Sequence, residues 1–247
     1  MVAKWSYGFV CIVAIMLATG CAHEAITPQP AESAAKPAAA KADAKAPAEK
    51  ADLEWESLFN GKDLDGWKVT EFGGQGEVRV KDGAMILPMG AMLTGVNYTG
   101  PTPKINYEVE LDAMRMDGTD FFCGLTFPVN DSCASLICGG WGGSVCGISC
   151  LDGYDAANNE TTTIREFKKG QWYRIRMRVM DKRLMAWIDD KPVVDVSTKG
   201  RKIDVRIEIE LGRPFGLASY QTTAAIKNVR IRPLKPEEIT EKPEEQF

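Results

Sequence analysis

The densest run of oxygen-bearing side chains in the sequence lies between positions 152 and 160. It contains Asp152, Asp155, Asn158, Asn159 and Glu160. A carboxylate in such a run can act as a general base, and a hard cation such as Ca²⁺ takes about six to eight oxygen ligands. We therefore predict that Asp152 or Asp155 is a general base or binds a divalent cation. The alternative is that the run only forms turns, since Asp and Asn favour them.

Histidine is almost missing from this sequence, which limits the chemistry available. The only histidine is His23, close to the amino terminus. A Ser-His-Asp triad, a Cys-His pair and a His-ligated metal are therefore excluded from the later part of the chain. Acid–base chemistry there must use Asp, Glu, Lys, Tyr, Cys or water.

A Gly-Gly-Trp-Gly-Gly turn, residues 139–143, joins two predicted strands at 133–138 and 144–151. Its glycines permit positive φ angles and a close approach by a ligand. An exposed Trp141 at the tip would offer a flat apolar face to a sugar ring. We predict that Trp141 binds substrate together with Tyr154, Asn158 and Asn159; the alternative is that Trp141 folds back onto the sheet.

Five cysteines follow residue 52: Cys123, Cys133, Cys138, Cys146 and Cys150. None has the Cys-x-x-Cys spacing of a structural zinc site. Cys138 and Cys146 lie at equal distances from Gly142, so they are predicted to face each other across a hairpin. A disulfide between them is one hypothesis, and two small buried thiols are the alternative.

The elements around this region read as short strands. Residues 105–116 and 172–180 alternate between apolar and polar side chains, which is typical of half-buried antiparallel strands. Arg115 falls on the apolar side of the first, where a charge needs a partner. Arg174, Arg176 and Arg178 fall on the polar side of the second, which predicts a solvated sheet face. Residues 77–87 are predicted to form a hairpin of two short strands joined at Asp82-Gly83. Further strands are predicted at 183–189, 193–196, 205–211, 215–220 and 224–232.

Together with the lack of a convincing amphipathic helix in residues 53–232, this pattern predicts an all-β sandwich. The formal net charge is −4, and no basic stripe is present, so nucleic acid is not an expected partner.

The two ends of the chain have a different composition. Residues 1–21 resemble a lipoprotein signal, with a short apolar run before a lipidated Cys21; the alternatives are a plain signal peptide or an uncleaved anchor. Residues 22–52 are rich in Ala, Pro and Lys, which predicts a disordered tether. Residues 233–247 form a charged tail, expected to be frayed. We therefore expect an exported protein, anchored by lipid to the bacterial outer membrane.

Three stretches of the chain resemble one known family. LFNGKDLDGW (58–67), WYRIRMRV with a following Trp-Ile-Asp-Asp (172–190), and GLASYQTTAAIKNVRIRPL (216–234) are similar to the 3-keto-disaccharide hydrolase family. The resemblance implies a concanavalin A-like jelly-roll sandwich of two antiparallel sheets over residues 53–232. It also implies a carbohydrate partner and action on 3-keto-glucosides by β-elimination across C1–C2.

This resemblance suggests roles for the candidate residues. The ketone acidifies the C2 hydrogen, which Asp152 or Asp155 would remove. Arg115 or a Ca²⁺ ion would stabilise the enolate, and Glu160 or Tyr154 would protonate the departing C1 oxygen.

The family carries a Glu-x-Gln-x-x-Asp strand, and Asp152, or alternatively Asp155, corresponds to its acidic end. The Glu and Gln have no counterparts, because Gly147 to Ser149 stand near their place. The alternative function is therefore a non-catalytic carbohydrate-binding module or a cell-surface adhesin of the laminin-G-like type.

Overall fold

In a computed structural model, which describes residues 55–239, two antiparallel sheets pack face to face. This confirms the predicted all-β jelly-roll sandwich. The predicted signal with Cys21, the tether at 22–52 and the end of the tail lie outside the described residues. Within residues 55–239, no helix has the length and apolar character needed to cross a membrane.

The first sheet has eight strands in the order β13-β12-β11-β6-β15-β4-β3, with β1 also paired to β15. Its strands are β1 (Glu56–Ser57), β3 (Arg79–Lys81), β4 (Ala84–Leu87), β6 (Tyr107–Gly118), β11 (Trp172–Met180), β12 (Arg183–Ile188), β13 (Lys191–Ser197) and β15 (Thr222–Pro233).

The second sheet has seven strands in the order β10-β9-β8-β7-β14-β5-β2. Its strands are β2 (Trp67–Val69), β5 (Leu93–Tyr98), β7 (Cys123–Val129), β8 (Ser132–Gly140), β9 (Val145–Ser149), β10 (Thr163–Ile164) and β14 (Gly216–Tyr220).

The hydrophobic core fills the space between the sheets. Because side chains alternate along a strand, each strand contributes every second residue to it. Phe127 from the second sheet and Met177 from the first are fully buried in this core. The Tyr107 hydroxyl donates a 2.7 Å hydrogen bond to the carbonyl of Pro128, which links β6 to β7 across the core. Burying each such large side chain contributes about 1.5–3 kcal/mol.

The prediction of a strand at residues 205–211 is wrong. A 3-10 helix spans Ile207–Gly212 instead. Ile209 is buried against the second sheet, whereas Ile207 and Leu211 are 86% and 58% exposed. The segment crosses the outer face of the sheet, where no neighbouring strand is available to complete a hydrogen-bonded ladder. Its alternating pattern therefore does not produce a strand.

Residues 201–212 therefore cover part of the outer face of the second sheet, and we call this segment the strap. Its first part pairs with the chain after β9, because Asp204 and Cys150 exchange backbone hydrogen bonds and Ile203 bridges Leu151. The remainder of the strap lies over β14 and β5, where Ile209 packs beside Leu93 and Ala218. One end of the outer face stays open.

The outer face of the first sheet carries charged residues, as predicted for Arg174, Arg176 and Arg178. Arg178 Nε donates to Glu108 at 2.6 Å and its Nη2 donates to Glu238 at 3.0 Å. Glu238 belongs to a second 3-10 helix, Pro236–Glu238, in the tail that was predicted to be frayed. Ion pairing therefore holds the tail against the sheet up to this point.

Candidate functional site

The open end of the outer face of the second sheet forms a cleft of about 250 Å³. Strands β5, β8, β9 and β14, the strap and the segment before β7 all contribute to it. We call this cavity the cleft. Its lining consists of Met92, Leu93, Asp120, Phe121, Ser135, Ile137, Trp141, Ser149, Arg206, Glu208, Ile209 and Tyr220.

Three aromatic side chains line the cleft. Phe121 and Tyr220 stack on each other with ring centroids 5.9 Å apart and an interplanar angle of 23°. Trp141 is 42% exposed, so its ring is available to a ligand. The structure therefore favours the prediction of an accessible Trp141 over its burial against the sheet.

The turn at residues 139–143, here called the Trp141 turn, is held by two charged side chains. Asp120 accepts a 3.0 Å hydrogen bond from the backbone N–H of Gly142. From the other side, Arg115 donates to the carbonyls of Gly139 and Gly143 at 3.0 and 2.9 Å. Trp141 itself adopts a φ of 49°. These bonds set the position of the indole ring.

Arg115, which was predicted as a catalytic residue, does not line the cleft. Its side chain is buried, and its third hydrogen bond reaches the carbonyl of Phe167 at 3.2 Å. The guanidinium also lies 5.3 Å from the ring centroid of Phe122. Because burial disfavours its charge, the pKa of Arg115 is lowered. Its partners are carbonyls, which makes it an anchor for the Trp141 turn.

An ion network connects the strap to the loop after β9. Arg206 donates to both oxygens of Glu208, at 3.1 and 2.7 Å, and to Asp155 at 2.6 Å. The hydrogen bonds from Arg206 lower the pKa of Glu208, and those to Glu208 raise the pKa of Arg206. Asp155 also accepts from the backbone of Ala157 and therefore stabilises its own turn.

Asp152 and Glu160 lie outside the lining of the cleft, and both pair with Arg201. Asp152 accepts from the backbone of Lys202 at 2.7 Å and from Arg201 at 2.5 Å, and these bonds lower its pKa. Hydrogen bonding to Arg201 likewise lowers the pKa of Glu160. Both carboxylates attach the loop to the strap, and their predicted catalytic roles stay predictions.

The amide side chains of Asn158 and Asn159 also form hydrogen bonds to neighbouring protein groups. Asn159 donates to the carbonyls of Ile148 and Asp155, both at 2.8 Å, and accepts from Thr161. Asn158 donates to Asp155 at 2.7 Å. Tyr154 is 61% exposed and does not line the cleft. The structure thus brings only Trp141 of the four predicted substrate-binding residues to the cleft.

No three His, Cys, Asp or Glu side chains within residues 55–239 cluster as metal ligands would. Asp152 and Asp155 pair with two different arginines. The predicted Ca²⁺ site therefore gains no support from this arrangement.

The family assignment follows from the sequence of the whole domain. The model of the 3-keto-alpha-glucoside-1,2-lyase-like domain matches residues 54–232. The chain belongs to this family. The resemblance noted from the sequence is thereby confirmed, although no curated protein matches the chain significantly.

Solved structures share the fold of this 3-keto-alpha-glucoside-1,2-lyase-like domain at low identity. The Crh5 transglycosylase in complex with NAG is 13% identical, with a TM-score of 0.52 over 74% of this chain and 85% of that one. The carbohydrate-binding module CBM66 from Bacillus subtilis is 14% identical, with a TM-score of 0.45 over 68% and 95% of the two chains. The similarity to the Crh5 transglycosylase describes the fold alone.

Two positions of the 3-keto-alpha-glucoside-1,2-lyase-like domain carry small residues beside the cleft. Gly147 and Ser149, near the place of the family's Glu and Gln, are both on β9. A Cβ atom on Gly147 would lie 3.0 Å from the Thr161 carbonyl and 3.1 Å from that of Ala156. The loop after β9 therefore occupies the space that a longer side chain at position 147 would need.

Three of the five cysteines of this 3-keto-alpha-glucoside-1,2-lyase-like domain form a row across three strands. Cys123 is opposite Cys138 on β7 and β8, and Cys138 is opposite Cys146 on β8 and β9. The prediction that Cys138 and Cys146 face each other across the hairpin is therefore confirmed. Within residues 55–239 all five cysteines are free and buried, and the Cys138 and Cys146 sulfur atoms are 3.6 Å apart. The disulfide stays a prediction.

Several residues that line the cleft were missed from the sequence: Asp120, Phe121, Arg206, Glu208 and Tyr220. They come from three distant segments, and only the fold of the 3-keto-alpha-glucoside-1,2-lyase-like domain unites them. No local signal separated Arg206 and Glu208 from the charged residues of true strands, because residues 205–211 alternate in the same way as residues 172–180.

Proposed function

We propose that this chain binds a carbohydrate in the cleft. The observation that supports this proposal is the combination of Trp141, Phe121 and Tyr220 with polar groups in one cavity. An aromatic ring presents a flat apolar surface that suits the C–H face of a pyranose. Asp120 and Glu208 offer oxygens that accept hydrogen bonds from sugar hydroxyls.

The size of the cleft limits the ligand. Its volume of about 250 Å³ lies just below the range of roughly 300–1,000 Å³ of sites for drug-sized molecules. One sugar ring therefore enters the cleft, and any further rings of an oligosaccharide extend past Trp141 or Met92 at its edge.

Binding without turnover is favoured by the residues beside the cleft. At Gly147 the chain has no side chain that could remove a proton, and the neighbouring loop fills the space. Asp152 is engaged by Arg201 and by the backbone of Lys202. Since hydrogen bonding to a carboxylate lowers its pKa, this arrangement also weakens Asp152 as a base.

The test is a binding titration of the purified protein with a panel of oligosaccharides, followed by calorimetry. Trp141→Ala is expected to reduce affinity at least about fivefold, since stacking and hot-spot contacts of this kind contribute more than about 1 kcal/mol. Trp187→Ala is the matched control, because Trp187 stacks under Arg176 on the first sheet and does not line the cleft. Equal effects of both variants would contradict the proposed site.

A second candidate function is elimination from 3-keto-glucosides, which membership of the family favours. A carboxylate would take the C2 proton, the electron pair would form the C1–C2 double bond, and the C1 oxygen would leave with a proton. Asp120 and Glu208 line the cleft and are the bases that this reaction would use there.

Incubation with a 3-keto-glucoside, with and without EDTA, tests this second candidate. Product formation that Glu208→Gln or Asp120→Asn abolishes would place the reaction in the cleft. Loss of product only in Asp152→Asn would instead support the base predicted from the sequence. If no product forms while saturable binding is seen, the elimination proposal fails.

We also propose that the domain is exported and anchored by lipid at Cys21, on the support of the sequence of residues 1–21. Metabolic labelling with a radioactive fatty acid tests this. Label is expected in the protein and not in Cys21→Ser, and equal labelling of both would contradict the anchor.

A further inference from the structure

Negatively charged side chains outnumber positively charged ones in the lining of the cleft. Two carboxylates, Asp120 and Glu208, line it together with a single cation, Arg206. The balance matters because a cleft with low-dielectric walls concentrates the field of its charges on a ligand.

Arg206 is already neutralised by its neighbours. Its Nε and Nη2 atoms donate to Glu208, and its Nη1 donates to Asp155 at 2.6 Å. The single positive charge of Arg206 is thus shared between the carboxylates of Glu208 and Asp155. The carboxylate of Asp120 adds a further negative charge to the lining. An anionic sugar would have to compete with Glu208 and Asp155 for the guanidinium.

The other basic side chains of the strap and the residue after it also form ion pairs with carboxylates. Arg201 pairs with Asp152 and Glu160, and Arg213, just after the strap, pairs with Asp204 and Glu210. Lys202 lies 3.8 Å from Asp204. Each of the four basic side chains in residues 201–213 therefore has a carboxylate partner.

Aromatic rings complete the environment. Phe121 and Tyr220 form one stacked pair in the lining, and Trp141 stands in the same cavity. The face of an aromatic ring carries partial negative charge and attracts a cation within about 6 Å of its centroid. Carboxylates and aromatic faces together suit a ligand that bears a positive charge.

We infer that the ligand of the cleft is an amino sugar, a pyranose with a free, protonated amine. The ring stacks on Trp141, and the ammonium group lies between the aromatic faces and the carboxylates of Asp120 and Glu208. This inference rests on the proposed carbohydrate-binding function and specifies its ligand class.

The experiment compares the affinities of the full-length protein for three β-1,4-linked tetrasaccharides. These are the tetramers of glucosamine, of N-acetylglucosamine and of glucose. Calorimetry is run at mildly acidic pH, at which the free amines are protonated and Glu208, whose pKa Arg206 lowers, is charged. The glucosamine tetramer is expected to bind about tenfold more tightly than the glucose tetramer, from one ion pair and one cation–π contact. Added salt should reduce this preference, because it screens partly exposed charges.

A pair of variants locates the effect. Glu208→Gln removes one carboxylate from the cleft and is expected to reduce the preference for the glucosamine tetramer over the glucose tetramer about threefold. Asp131→Asn removes the same charge from a side chain that is 95% exposed and does not line the cleft, and should leave the preference unchanged.

The outcomes separate the two proposals. Binding of the glucose tetramer as tight as that of glucosamine would overturn the inference and leave carbohydrate binding intact. Equal loss of preference in Glu208→Gln and Asp131→Asn would also overturn it, since the effect would then come from net charge alone. Absence of binding by all three sugars would overturn the proposed function and this inference with it.

Discussion

Replacing Arg115 with methionine should release the Trp141 turn from inside the domain. The guanidinium makes three hydrogen bonds to carbonyls, those of Gly139, Gly143 and Phe167, at 2.9–3.2 Å. Methionine fills a similar apolar volume and donates no hydrogen bond. The three carbonyls would then have to find water or remain unpaired.

The size of the effect follows from two opposing terms. A hydrogen bond to a charged group contributes about 1.5–3 kcal/mol, so three of them could contribute well over 4 kcal/mol. Against this, burial of the charge is costly, as the lowered pKa of Arg115 indicates, and its Nε has no hydrogen-bond partner. We expect Arg115→Met to lose about 3 kcal/mol of unfolding free energy, a large part of a typical total of about 5–15 kcal/mol.

Urea unfolding followed by circular dichroism measures this loss, and sugar titration measures the effect on the cleft. Affinity should fall about tenfold, because the Trp141 ring is no longer held in place. Arg183→Met is the matched control: Arg183 pairs with Asp195 at 2.6 Å on the partly exposed edge of the first sheet, and its loss should cost about 0.5 kcal/mol. Unchanged stability and affinity in Arg115→Met would refute the anchoring role of this residue.

Three further predictions concern other parts of the domain. Trp141→Ala should change the unfolding free energy by less than about 0.5 kcal/mol while it weakens sugar binding, because the ring is 42% exposed; thermal denaturation checks this, and a large loss of stability would show that the ring is part of the core. Gly147→Glu should destabilise the domain by about 1–3 kcal/mol, since its Cβ would lie 3.0 Å from the Thr161 carbonyl; an unchanged melting temperature would mean that the loop moves aside freely. Arg232 lowers the pKa of Glu238 to about 2 in the folded protein, from 4.5 in the unfolded chain. The charged Glu238 carboxylate therefore contributes its full stabilisation above pH 4.5, and this stabilisation is lost as the pH falls from 4.5 to about 2. Glu238→Gln should therefore remove about 1 kcal/mol at neutral pH and almost nothing at pH 2, as unfolding titrations at both pH values would measure.

The strands were predictable because their side-chain pattern and their environment agree. Residues 105–116 and 172–180 alternate, and the structure pairs them as β6 and β11, with Leu111 opposite Ile175. The same reasoning failed at residues 205–211, where the pattern alternates equally well. An alternating segment becomes a strand only if a sheet edge is available to it, and that information is not local.

The cleft was less predictable than the fold. Trp141 was singled out because the glycines around it permit a close approach by a ligand, with packing of its ring back onto the sheet as the alternative. Asp120 and Tyr220 are 100 positions apart in sequence, and no local spacing relates them. Arg115 was correctly recognised as a buried charge in need of a partner, but backbone carbonyls of a turn cannot be read from a side-chain pattern.

The oxygen-rich run at residues 152–160 shows how a catalytic signature and a structural one can coincide. Arg201 of the strap binds Asp152 and Glu160, and Arg206 binds Asp155. Each arginine sits opposite two carboxylates, so removing either one would leave like charges facing each other. The strap also brings Glu208 into the cleft beside Arg206. The carboxylates that suggested chemistry in the sequence therefore hold in place the segment that shapes the cleft.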